Sequence, residues 1–251
     1  EVTLPGIGRD PRRLKKVSEK TGVNIVCGCG YYVASSHPKE VSVRTKNEIA
    51  AQMISDLTEG IDDTEIRAGI IGEIGLSAGI LPDEEKVLRA AVIAANETGA
   101  ALSIHPPWPH GDVFPIIDIL KHEGVDLTRV IFCHMDNKGL DPDVHQAIAD
   151  EGIYLEYDTF GKEFARDTYY GFHDPLDIER VAIVTKMVNR GYQTRLLLSQ
   201  DVCKKSEITK FGGRGYAHIS KNIVPMLLMA GVTDEQIWAM RVDNPSHLLP
   251  F

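Results

Sequence analysis

Six apolar runs recur along this chain, and none alternates with polar residues. They are NIVCGCGYY (24–32), AGIIGEIG (68–75), ALSIH (101–105), VIFCH (130–134), IYLEYD (153–158) and RLLLSQD (195–201). A strand with one wet face alternates; a continuous apolar run marks a strand covered on both faces, as in a parallel sheet layered with helices. The segments between the runs carry helical punctuation. DPRRLKKVSEKTG opens on Asp-Pro and closes on Gly, and PDEEKVLRAAVIAANETG has acids in its first turn and the same terminal Gly, as helix dipoles and C-caps prefer. FPIIDILKHEG, PDVHQAIADEG, DIERVAIVTKMVNRG and HISKNIVPMLLMAG read the same way. Strand then helix, repeated every 25–45 residues or so, predicts an α/β fold of the (β/α)8 TIM-barrel type, which spends roughly 30 residues per unit. An open doubly wound sheet is the competitor. Against it, GCGYYV lacks the third glycine of a dinucleotide-binding turn and has no acid at the expected distance. No linker or low-complexity stretch breaks the pattern, so residues 1–251 are expected to form a single domain.

The bulk properties narrow the function classes. A net charge of −9 argues against nucleic-acid and anionic-membrane partners, since both require basic surface. No apolar run approaches the 18 or so residues of a transmembrane helix. Cys27, Cys29, Cys133 and Cys203 lie in or beside apolar runs without a C-x-x-C pair, which suits small buried side chains in a reducing, cytoplasmic setting better than disulfides.

GIIGEIG raises the first chemical question, because Glu73 interrupts an otherwise apolar strand. A buried carboxylate costs several kcal/mol unless it holds a cation or a proton. Three other polar residues share its position at the carboxyl end of a run: His105, His134 and Asp201, at successive intervals of 32, 29 and 67 residues. Those intervals equal one, one and two barrel units, and in a barrel such ends converge on the rim where sites are built. Two imidazoles and two carboxylates form a donor set for Zn²⁺, Mn²⁺ or Fe²⁺. Taken singly, each has a plainer reading: a satisfied core histidine, an N-cap aspartate or a glutamate paired with arginine. His122 and His145 fall within amphipathic helices and read as solvated; His37, His110 and His173 fall in loops, and His247 follows NPS. His218, opening the last long helix, is kept as a substrate-contact candidate.

These motifs, in this order and spacing, resemble the phosphotriesterase family of the amidohydrolase superfamily. The resemblance runs through GIGRDPRRLKKVSEKTGVNIVCGCGYY, GIIGEIG, SIHPPWP, VIFCHMD, LLLSQDVC, FGGRGYAHI and NPSHLL. It implies a barrel with two divalent metal ions, zinc first and manganese or iron as alternatives, held by Glu73, His105, His134 and Asp201. In relatives the bridging position usually carries a carboxylated lysine; Glu73 stands there and supplies two oxygens directly. The family also uses an H-x-H pair on strand 1, and this chain contains none. With EVTL taken as strand 2, the expectation is that a strand-1 segment precedes Glu1 and that only one metal is held well without it.

The resemblance further implies that Asp201 acts as general base and that Asp136, two residues after His134, joins a proton relay through a strand-7 residue. That stretch reads LEYDTFG here, which leaves the relay open and brings in Tyr157 as a pocket residue. Tyr32, Trp108 and Arg214 are the other substrate-contact candidates, Arg214 as a grip for a carboxylate, sulfonate or phosphate. The expected activity is hydrolysis of an ester, lactone or amide bond in a small molecule, with phosphotriesters incidental, by a protein that relatives suggest is a homodimer. Two other classes compete. One is a small-molecule-binding barrel with an incomplete metal site. The other is a Schiff-base aldolase, which would need a lysine at a strand end facing the rim, and Lys204 and Lys205 lie in a polar loop instead.

Overall fold

The computed structural model describes residues 1–107, 112–137, 139–163 and 174–249. Its backbone contacts divide into two compact units, Glu1–Ile131 together with the last residues from Leu248, and Phe132–His247. Six strands are hydrogen-bonded in chain order: β1 (Gly28–Cys29), β2 (Ile70–Gly75), β3 (Leu102–His105), β4 (Val130–Phe132), β5 (Tyr154–Tyr157) and β6 (Leu196–Leu198). The pairs β1–β2, β2–β3 and β5–β6 are parallel. Sequential parallel strands require a crossover after each one, and the helices supply it.

The first unit carries α1 (Pro11–Thr21), α2 (Glu40–Val43), α3 (Lys46–Thr58), α4 (Pro82–Thr98) and α5 (Phe114–Glu123). α4 shows why the sequence makes a helix here. Pro82 is preorganised for the first position, three acids occupy the first turn, and Gly99 ends the helix at φ +74°. Glu84 turns back at its start. The buried carboxylate accepts from the backbone N–H groups of Leu81, Ser77 and Ala34 and from the Ser77 hydroxyl at 2.6–3.1 Å. Burial pushes this acid up, but the four donors outweigh it and its pKa lies below the ordinary range. Val87, Leu88, Ala91 and Val92 are buried, as are Ile71, Ile74, Leu102 and Ile104 on the strands. Each large aliphatic side chain of this kind contributes about 1.5–3 kcal/mol on leaving water. α3 packs on α4.

The second unit carries α6 (Pro142–Asp150), α7 (Asp177–Asn189), α8 (Val224–Met229) and α9 (Asp234–Trp238). Each of the six apolar runs yields a strand. Two expectations are corrected. EVTL forms no strand: the Glu1 amine donates to the Val26 carbonyl and Gly28 N–H donates to the Glu1 carbonyl, both at 2.8 Å, too brief an exchange for a ladder. Among the described residues there are thus six strands, not the seven expected. His145, read as solvated, is fully buried on α6, where its Nδ1 lies 2.7 Å from the Tyr157 hydroxyl.

Candidate metal centre

In the first unit, the local shape of β2 aims Glu73. The β2–β3 register slips between Ile71 and Ile74, an irregularity of the kind that redirects a side chain next to a site. Gly72 makes it possible. It sits at φ +116°, and a Cβ there would lie 2.1 Å from the Ser103 carbonyl oxygen, so no other residue fits. Beyond the slip, Gly75 faces His105 across the pair. Donor atoms of Glu73 and His105 lie within 4.8 Å of one another. Tyr32 packs its ring edge-on against the His105 imidazole, with centroids 4.9 Å apart and planes at 76°. Three of the expected site residues therefore meet in this unit.

The second unit holds the rest. Of the described residues, four besides glycine adopt left-handed φ, and two of those are His134 (+56°) and Asp201 (+41°). Such conformations cost about 1–3 kcal/mol and persist where the surroundings enforce them, commonly at functional sites. At His134 the enforcement is visible: its backbone N–H and its Nδ1–H both donate to Asp158 Oδ1, at 3.0 and 2.8 Å. The Asp158 carboxyl is fully buried and its pKa is pushed up by that burial, an effect that His134 opposes. A carboxylate on Nδ1 fixes the tautomer, in which Nε2 carries the lone pair.

Asp136 lies at the centre of a buried polar network. It accepts from the Thr159 hydroxyl at 2.6 Å and N–H at 3.0 Å, and from Arg180 Nε at 2.9 Å. Arg180, fully buried, also donates to Asp177 Oδ1 at 3.2 Å. Asp177 Oδ2 accepts from His218 Nε2 at 2.7 Å, and the other His218 nitrogen pairs with the Asn222 amide at 2.8 Å. From the end of β5, Asp136 is met by the Asp158 N–H at 3.4 Å and by Thr159, whose hydroxyl donates to the acid. His218 has both ring nitrogens committed within the network and is 2% exposed, so it braces the site instead of touching a substrate. Tyr157 is likewise turned into the core towards His145, and burial drives its phenol pKa well up.

Asp201 is met by a residue that the sequence reading did not single out. The ammonium of Lys162 hydrogen-bonds Asp201 Oδ2 and lies 3.5 Å from Glu207 Oε1. Burial works against the lysine's charge, but Asp201 first, then Cys203 and Glu207, more than offset it and its pKa is raised. Arg214 is half-exposed and donates to Glu163 at 3.0 Å. Trp108, His110 and His173 lie outside the described residues.

One carboxylate and two imidazoles suit a divalent ion, and Glu73, His105 and His134 are candidate metal-binding residues. The tautomer that Asp158 imposes on His134 agrees with that use. Acid and imidazole donors at or beyond strands of an α/β sheet are the kind of ligand that a metal-dependent hydrolase uses. The model of the Phosphotriesterase family matches residues 1–249. An N-acetyltaurine hydrolase from Xenopus tropicalis is 36% identical over 252 residues, covering 100% of this chain and 72% of the relative. The structure of a resiniferatoxin-binding protein from Rhodobacter sphaeroides superposes with a TM-score of 0.94 at 36% identity, covering 98% of this chain and 68% of that one. The phosphotriesterase homology protein from Escherichia coli, solved with phosphate in its active site, gives 0.88 at 34% identity, covering 99% and 82%. The chain belongs to the phosphotriesterase family, and its fold is that family's α/β barrel type. No described helix is long and apolar enough to cross a membrane.

Proposed function

We propose that this chain hydrolyses the amide bond of small N-acyl amines that carry an anionic group, in the manner its relatives' name indicates. One observation carries this: proteins named N-acetyltaurine hydrolase, from vertebrates to Dictyostelium discoideum, match 99–100% of this chain and 68–72% of their own length at 36–38% identity. The ligands proposed are Glu73, His105, His134 and Asp201, for two divalent ions, zinc by preference. When bound, such ions polarise a carbonyl oxygen and acidify water. The protein's own residues do the rest. Asp201 accepts the water's proton at its carboxylate. Asp158 holds His134 in one tautomer, and Asp136 fixes the turn after β5. Tyr32 and Trp108 are proposed as substrate contacts, and Arg214 as the group whose guanidinium meets the anionic end. A single hydrolase domain over residues 1–251, a homodimer and a cytoplasmic setting belong to the same reading. The four cysteines are all free thiols, which accords with that setting.

The name of the Rhodobacter sphaeroides neighbour keeps binding without turnover as the second reading. The deciding experiment loads the protein with zinc and offers N-acetyltaurine, other N-acyl amines, lactones, aryl esters and a phosphotriester. Cleavage of the anionic N-acyl amines ahead of the rest is expected. Cleavage of lactones or esters alone would overturn the substrate class, and ligand binding without cleavage of any of them would favour the second reading.

A further inference from the structure

The turn Thr159–Glu163 after β5 is clamped from several sides. Lys162 N–H donates to the Thr159 carbonyl at 3.1 Å, and the Thr159 hydroxyl donates to Asp136 at 2.6 Å. Gly161 N–H donates to Asp177 Oδ1 at 2.8 Å, while Glu163 accepts from Asp177 N–H at 3.1 Å and from Arg214 at 3.0 Å. Gly161 sits at φ +88°, and a Cβ there would lie 2.9 Å from Arg214 Cγ and 3.0 Å from the His218 ring. The side chain this turn presents, and does not use in the clamp, is that of Lys162.

Lys162 reaches Asp201 Oδ2, with Glu207 Oε1 and Cys203 Sγ each at 3.5 Å. Glu207 is itself pinned, accepting from the N–H groups of Cys203 and Lys204 at 2.8 Å. An ion pair between two exposed loops ordinarily contributes almost nothing. This one differs in three respects. The lysine side chain is only 17% exposed, the turn beneath it is immobilised, and the partner aspartate is held in a strained backbone conformation at φ +41°. Strain of that kind needs a contact that repays it.

We propose that Lys162 is a positioning residue for Asp201: by holding Oδ2 it orients the carboxylate and leaves Oδ1 for a metal ion. The arrangement parallels the one at His134, where Asp158 takes one ring nitrogen and fixes the tautomer. Groups that orient metal ligands in this way typically change metal affinity 10–100-fold when removed. The inference rests on Asp201 being a ligand, as proposed above.

The test is a zinc titration against a chromophoric chelator, on the full chain and on K162M, K162R, D201N and the double variant K162M/D201N. K162M is expected to weaken zinc binding about 10–100-fold. K162R restores most of the loss because it keeps a cationic donor, and K162M has no further effect in the D201N background. Zinc binding by K162M as tight as that of the unaltered protein overturns the proposal, as does an equal loss with and without Asp201. Unchanged zinc binding in D201N removes Asp201 from the centre and the proposal with it. No substrate enters the measurement, so a wrong substrate assignment leaves the outcome readable.

Discussion

Replacing Arg180 with methionine tests whether the buried network is a scaffold or an accident of packing. Methionine keeps the length and apolar stem of the arginine but removes its charge and donors. The lost bonds are those from Nε to Asp136 and Thr159, at 2.9 and 3.1 Å, and from Nη1 to Asp177 at 3.2 Å. Arg180 and Asp136 side chains are both 0% exposed, so water cannot take over. Removing one partner of a buried pair costs about 3–5 kcal/mol, mostly because the remaining charge is stranded. For a chain of 251 residues, each kcal/mol moves the melting temperature by about 2–4 °C, so R180M should melt roughly 6–20 °C lower. Thermal and urea unfolding followed by circular dichroism reads this directly. If a stranded Asp136 is the cause, R180M/D136N should recover part of the loss, with a coupling of about 0.5–3 kcal/mol. A melting temperature for R180M within about 2 °C of the unaltered protein would refute the reasoning.

Other outcomes follow from the same structure. Burial lowers the His145 pKa from 6.5 to about 4, so the folded state keeps it neutral while the unfolded chain takes up a proton. Stability should therefore be unaffected above pH 6.5 and fall as pH drops from there towards 4, by about 3 kcal/mol for this group alone. Urea midpoints at pH 7 and 4.5 should differ less in H145Q than in the unaltered protein; an identical difference would exclude His145. G161A should cost about 1–3 kcal/mol from positive φ and from contact with Arg214 and His218, again read by urea unfolding, and an unchanged midpoint would show that the turn can move. D201N should lower turnover of whichever substrate the panel identifies by 10²-fold or more while the fold melts normally, and full activity would remove Asp201 from the chemistry.

Much of this architecture is legible in the residue pattern. The unalternating runs yield all six strands, because burial on both faces leaves a mark on every residue of a strand. Glu73, His105 and His134 are legible because each is a polar residue within, at the end of or just past an apolar run: Glu73 inside β2, His105 closing β3 and His134 two residues beyond β4. α3 was not among the expected helices, although Thr45 and Glu48 spell a capping box that the structure forms. Arg180 was missed for a subtler reason. It shares a helical face with Asp177, Val181, Val184 and Val188, all buried, so its spacing was a signal; the habit of reading arginine as solvated hid it. Lys162 left no local mark, since its partner Asp201 is 39 residues away and only the folded turn brings them together. The roles of Tyr157 and His218 turned on which way a side chain points, which strand and helix spacing alone do not fix.

The network of Asp136, Thr159, Arg180, Asp177, His218 and Asn222 finds its principal partners within protein. It can therefore hold this part of the fold together without an ion. A zinc finger cannot do this, since its fold and its ion arrive together. For a hydrolase, that difference separates the cohesion of this part of the fold from the supply of metal.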